Sequence, residues 1–172
     1  SEKFTYQELS VLHKIVSKTV SSHDFGIILK EVLGILASDM GMNRGMISIY
    51  RRDLNEIVVD VSHGFDLVDG DVTYRLGEGI TGKVVETGRP VAIPNLEKEP
   101  LFLDRTKTRK KLNRSELAFI CVPIIFDKEV IGALSVDRIF VSNDALAGEV
   151  FFFVVVCSFL SLRVCICRLL GL

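Results

Sequence analysis

Gly77, Gly79 and Gly82 stand at the spacing G-x-G-x-x-G inside "LGEGITGKVVETGRP", residues 76–90. That spacing lets a backbone approach a pyrophosphate at the start of a helix. With Val84 added, the same glycines fit a kinase-type loop. Gly77, Gly82 and Lys83 fit most of a Walker A loop. Each reading then fails on its surroundings. "DVTYRL" before Gly77 is short and half polar, unlike a buried parallel strand, and the acid at Glu97 follows "PN" instead of ending a strand. Pro94 stands where "VAI" would need the kinase lysine, "DFG" at 24–26 precedes the glycine loop, and no H-R-D segment follows. Val84 stands where a P-loop needs a hydroxyl for Mg²⁺. The glycines fit better as the entry and exit of a short helix. Gly77 and Gly79 permit the turn into it, Glu78 suits its positive end, and Gly88 closes it. The start of that helix still attracts an anion.

A second constellation is basic. Arg105, Lys107, Arg109, Lys110, Lys111 and Arg114 place six cations in ten residues with no acid among them. A solvated loop is the ordinary reading of such a run. The sharper one turns one or two arginines inward, where a guanidinium grips a carboxylate or phosphate in bidentate fashion. DNA binding is disfavoured, because no aromatic residue interleaves the run and the formal net charge is −1. Cys121 sits in an apolar strand and reads as a structural thiol. His13, His23 and His63 lie on separate elements with no metal spacing. Asp137 and Arg138 end a strand, either lining a pocket or forming local ion pairs. No nucleophile–base pair is visible, so no catalytic residue is assigned.

The elements that must position these residues follow from periodicity. Thr5 to Val20 reads as a helix with Leu9, Leu12, Val16 and Thr19 on one face, widened by Tyr6 and Ile15. Asp24 caps a second helix striped by Phe25, Ile28, Leu29, Val32, Leu33 and Leu36, with Gly41 as its stop. Residues 45–52 and 56–63 form a hairpin, and 64–71 a loop. The glycine stretch gives a helix from about Gly79 to Glu86, and "PVAIPN" a short strand bounded by prolines. Residues 96–114 are a long connection of the kind that often carries function. Two apolar strands, 116–126 and 129–139, are joined by Asp127 and Lys128, a turn without the usual glycine. Residues 143–170 read as a long terminal helix.

This order predicts an α+β fold with a mainly antiparallel sheet, in one domain over residues 1–172: helices at about 5–41, a core at about 44–138, a terminal helix at about 143–170. A chain of this length, 48% hydrophobic, buries a core without disulfides or metals. Its four cysteines read as free thiols of a reducing cytoplasm, and its polar opening residues do not read as a signal peptide. "VFFFVVVCSFLSL" at 150–162 is shorter than a spanning helix needs and reads as buried, so no membrane span is expected.

"LGEGITGKVVETGRPVAIPNLEKEPLFLDRT" and "ELAFICVPIIFDKEVIGALSVDR" together resemble the GAF domain of Nif-specific, NifA-type, sigma-54-dependent regulators, most specifically in "EPLFLDRT" and "FICVPI". The resemblance covers roughly Phe4 to Arg138. It implies an antiparallel sheet of five to six strands, with terminal helices on one face and the short helix and long loop closing a ligand pocket on the other. It also implies a non-enzymatic sensory domain that precedes an AAA+ ATPase and a helix-turn-helix domain, responding to 2-oxoglutarate, an anti-activator or a PII-type protein. The candidate ligand-binding residues are then Gly79, Thr81 and Lys83 at the helix start, and Arg105, Arg109 and Arg114 on the loop. A homodimer through the terminal helices is expected, with no cofactor beyond a small effector and no nucleic-acid contact from this domain. A ligand-free dimerisation and partner-docking module is the alternative, and a methionine sulfoxide reductase-type enzyme a third. The nearly apolar tail, "GEVFFFVVVCSFLSLRVCICRLLGL", departs from the amphipathic terminal helix of the family.

Overall fold

The computed structural model describes residues 4–21, 24–42, 44–67, 72–105 and 113–170, with side chains to 163. Arg109, with Lys107, Lys110, Lys111 and His23, lies outside the described residues, as do the side chains of Cys165 and Cys167.

Two helices open the chain, α1 (Tyr6–Ser21) and α2 (Phe25–Met40). Asp24 caps α2 by accepting from the Ile27 N–H at 3.1 Å, and Gly41 ends it at φ 68°. Strands β1 (Arg44–Arg51), β2 (Glu56–His63) and β3 (Thr73–Arg75) follow, then α3 (Gly79–Thr87) and β4 (Val91–Ile93). After the loop come β5 (Leu117–Phe126), β6 (Glu129–Ile139) and α4 (Asn143–Leu170). The six strands form one antiparallel sheet in the order β3-β2-β1-β6-β5-β4.

Alternation along the central strands feeds two cores. Ala118, Ile120, Val122, Leu134 and Val136 face α1, α2 and α4, whose contributions include Ile15, Ile28, Leu33, Phe152, Phe153 and Leu160. Phe119, Cys121 and Ala133 face the other way, against Ile80, Val84 and Val85 of α3. Strand β5 is therefore buried on both sides, which is why its sequence is an unbroken apolar run. Register shifts at Ile47/Ser48 and at Ile124/Ile125 mark bulges that curl the sheet. The β5–β6 turn places Asp127 and Lys128 at φ 48° and 66°, the geometry that normally selects glycine.

Three local expectations need correction. On α1 the buried residues are Val11, Leu12, Ile15 and Thr19, while Leu9 is 52% and Tyr6 90% exposed. The predicted and observed faces share Leu12, Ile15 and Thr19, and packing against α2 and α4 turns the buried side toward Val11 and away from Tyr6 and Leu9. The half-polar segment before Gly77 contains a strand, β3, which pairs with β2 through Thr73, Tyr74 and Arg75. Its pattern is too short to register as period two. On α4, residues 143–163 are long and apolar enough to cross a membrane, yet 44% of the most apolar window is buried inside the domain. Phe152, Phe153, Val156 and Leu160 are fully buried on the sheet. Each such side chain contributes on the order of 1.5–3 kcal/mol of apolar burial.

Candidate functional site

The site lies between the sheet, α3 and the loop after β4. The three glycines of the opening motif have structural roles there. Gly77 and Gly79 have φ 77° and 60°, a region that disfavours any side chain. A Cβ on Gly79 would stand 2.9 Å from Leu103 Cδ1, so the loop rests directly on the helix start. A Cβ on Gly82 would stand 2.5 Å from the Arg75 carbonyl oxygen, so α3 is packed backbone to backbone on the preceding turn. Gly77 N–H donates to the Gly82 carbonyl at 3.0 Å across that contact. The spacing that imitates a phosphate loop is the spacing this packing requires.

Glu78 precedes the helix but does not cap it with its side chain. Its carboxylate accepts from the Arg75 N–H at 2.8 Å and pairs with Arg105. The Arg105 guanidinium also lies 5.7 Å from the centre of the Tyr74 ring. Farther along, Arg114 donates from Nη2 to the Leu96 carbonyl at 3.3 Å and lies 5.6 Å from the Phe102 ring centre. Phe102 in turn meets Phe119 edge-on at 5.1 Å. The Arg114 Nε is buried and has no hydrogen-bond partner. The loop is thus pinned by one arginine at each end and plugged by Phe102 and Leu103.

What remains is a cavity of about 10 Å³ walled by Met46, Tyr74, Thr81, Phe102, Leu103 and Phe119. That is space for about one water molecule. Small polar side chains sit in the floor behind it. Ser135 and Cys121 face each other across β5 and β6 with 3.5 Å between oxygen and sulfur. Ser48 is fully buried, and its hydroxyl has no partner. Burial pushes the Cys121 thiol up to about 12, against the weaker opposing effect of hydrogen bonds with Ser135 and Thr81. Burial also pushes the Cys157 thiol up. Neither is a thiolate at neutral pH, so neither has the reactivity that redox chemistry needs. Among the described residues, no group of three or more His, Cys, Asp or Glu could hold a metal ion.

A pH effect follows. Both folded thiols titrate above the ordinary value of 9.0. Between pH 9 and 12 the unfolded chain therefore releases thiol protons that the folded chain keeps, and folding stability falls as pH rises. Below that window the contribution is level. Denaturant melts over this range should show a shallower alkaline loss in Cys121→Ala than in the parent; parallel curves would contradict the assignment.

Of the candidate residues, Thr81 lines the cavity and Gly79 borders it through Leu103. Arg105 and Arg114 each touch an aromatic wall, Tyr74 and Phe102 respectively. Lys83 lies on the exposed side of α3. Residue chemistry alone does not single out Met46, Tyr74, Phe102 and Phe119, because apolar walls carry no distinctive pattern. Asp137 and Arg138 do form ion pairs, and on opposite faces: Asp137 with Arg44, Arg138 with Glu149 of α4.

A curled antiparallel sheet with helices behind it and a short helix and loop over a small cavity is the architecture expected above. The GAF domain pattern matches residues 24–164. The chain belongs to the GAF domain family. It is 35% identical over 144 residues to the nitrogen fixation protein VnfA of Azotobacter vinelandii, covering 83% of this chain and 28% of that protein. It is 36% identical over 133 residues to a Nif-specific regulatory protein of Azospirillum lipoferum, covering 77% of this chain and 21% of that protein. The chain thus spans roughly a quarter of the length of these relatives. The crystal structure of the A. Aeolicus nlh2 GAF domain in an inactive state superposes with a TM-score of 0.85 at 29% identity, covering 93% of this chain and 96% of that one.

Proposed function

We propose that this GAF domain is the signal-receiving part of a cytoplasmic, sigma-54-dependent nitrogen-fixation activator. It is regulatory rather than catalytic, and it binds a small anionic metabolite such as 2-oxoglutarate to control a downstream AAA+ ATPase. The relationship to nitrogen-fixation regulators supports the setting. One observation carries the ligand class: Arg114, held against Phe102 at the cavity wall, has a buried Nε without a partner. A carboxylate reaching that nitrogen would form a charge-assisted hydrogen bond. Arg105 supplies a second guanidinium once released from Glu78. The ligand must displace Phe102 and Leu103, so it binds a state different from the closed one and shifts the population toward it.

Strand β6 offers the route outward, since Asp137 ties its cavity side to β1 and Arg138 ties its other side to α4. Calorimetry with 2-oxoglutarate is the test. Binding should weaken about tenfold in Arg114→Ala. It should strengthen in Phe102→Ala, because the plug no longer competes. Absence of heat at millimolar ligand in both the parent and Phe102→Ala would overturn the 2-oxoglutarate reading. The gain for Phe102→Ala also separates a pocket ligand from one held at the surface.

The closed cavity favours a second reading, a ligand-free module that dimerises and docks a PII-type or anti-activator protein. Exposed Tyr6, Leu9 and Val20 of α1 and Phe151, Val154 and Leu162 of α4 supply apolar surface for a homodimer through the terminal helices. A monomer by light scattering at high concentration would count against that dimer.

A further inference from the structure

A second concavity lies toward the C-terminal end of α3, where the tips of the β1–β2 and β5–β6 hairpins meet it. It is an open groove of about 390 Å³, within the size range of small-ligand sites. Its floor is apolar: Leu76, Val85 and Val130, with Tyr50 at the edge. Its walls carry charges of both signs. Arg52 and Glu129 neutralise one another at 2.8 Å. Glu86 and Lys128 also line the groove, and neither is in an ion pair among the described residues.

Both of these side chains are placed by unusual backbone. The Glu86 carboxylate occupies the space left by the missing side chain of Gly77, both oxygens lying 3.1 Å from where a Cβ would stand. Lys128 occupies the second position of a tight turn at φ 66°, where glycine is the favoured residue. A lysine there forgoes turn stability and gains a cation at the groove. Positions that break a local rule are the ones to examine for binding.

We propose that this groove binds a free α-amino acid with an apolar side chain. Its ammonium meets Glu86, its carboxylate meets Lys128, and its side chain covers Leu76, Val85 and Val130. An unpaired anion and cation over an apolar floor complement a zwitterion better than either half of it. The site is separate from the closed cavity, and its occupancy does not depend on the anion reading.

The experiment is amide NMR and calorimetry on the chain with L-leucine, isovalerate and isopentylamine. Leucine should shift the amides of Tyr50, Glu86 and Val130 and leave Thr81 and Phe102 unmoved, while the two half-molecules bind at least about tenfold more weakly. Glu86→Gln and Lys128→Gly should each weaken leucine about tenfold. Lys128→Gly should melt no lower than the parent, which rules out unfolding as the cause. Four results would overturn the proposal: no shifts at about 10 mM leucine, shifts centred on Thr81 and Phe102, equal binding of isovalerate or isopentylamine, or affinity unchanged in both variants.

Discussion

Replacing Gly82 with alanine is expected to destabilise the domain by about 1–3 kcal/mol, and by more if the contact cannot relax. For a domain of this size that is a fall in Tm of roughly 2–4 °C for each kcal/mol. The cause is backbone contact. The new methyl would stand 2.5 Å from the Arg75 carbonyl oxygen and about 3 Å from the Gly77 main chain. No rotamer change relieves it, so α3 must move off the turn, taking Thr81 and the cavity wall with it. The control is Gly34→Ala in the middle of α2, where nothing lies within 4 Å of the added carbon. That change should be neutral or stabilising by about 0.5–1 kcal/mol, since glycine costs about that much inside a helix. Thermal melts of the two variants decide the matter. Equal Tm values for Gly82→Ala and the parent would show that α3 is not held by this approach.

This contrast bears on how much of the molecule is legible in its sequence. The glycines are legible as the boundary of a short helix, because each phosphate-loop alternative needs a partner the chain lacks: a buried parallel strand, a kinase lysine after "VAI", or a hydroxyl at Val84. The third glycine's role is not, since a close approach between distant backbones leaves no local pattern. Strands β5 and β6 can be read because two apolar runs rich in strand formers are joined by a two-residue turn, which makes an antiparallel hairpin. The buried face of α1 is legible only in part: Leu12, Ile15 and Thr19 follow the period, but only the neighbouring helices choose Val11 over Leu9. At the candidate site, chemistry-bearing residues are visible and walls are not. Thr81 stands out at the helix start and Arg114 in the basic run, whereas Tyr74 and Phe102 emerge only when the loop folds over the sheet. Arg105 shows a related limit: a free cation in the sequence becomes the partner of Glu78 in the fold.

The second large effect is expected at Asp137. Its side chain is 2% exposed and accepts from Arg44 Nε at 3.2 Å, while Arg44 is itself 17% exposed. The Arg44 guanidinium also lies 4.9 Å from the centre of the Phe65 ring. The residues face one another directly in the β1–β6 register. Asp137→Ala leaves a guanidinium beneath an aromatic ring with its buried carboxylate removed, which costs about 3–5 kcal/mol. Truncating both partners should cost less than the two single changes together, because their mutual interaction is lost only once. The same variant tests the outward route from the cavity. Asp137 opposes Phe119 in the β5–β6 register, and its neighbour Arg138 pairs with Glu149 on the helical face. If β6 carries a change at the cavity to α4, Asp137→Ala should raise amide exchange in α4 as well as in β1. A loss confined to β1 would leave the ion pair as a local fastening of two strands and remove β6 from the route.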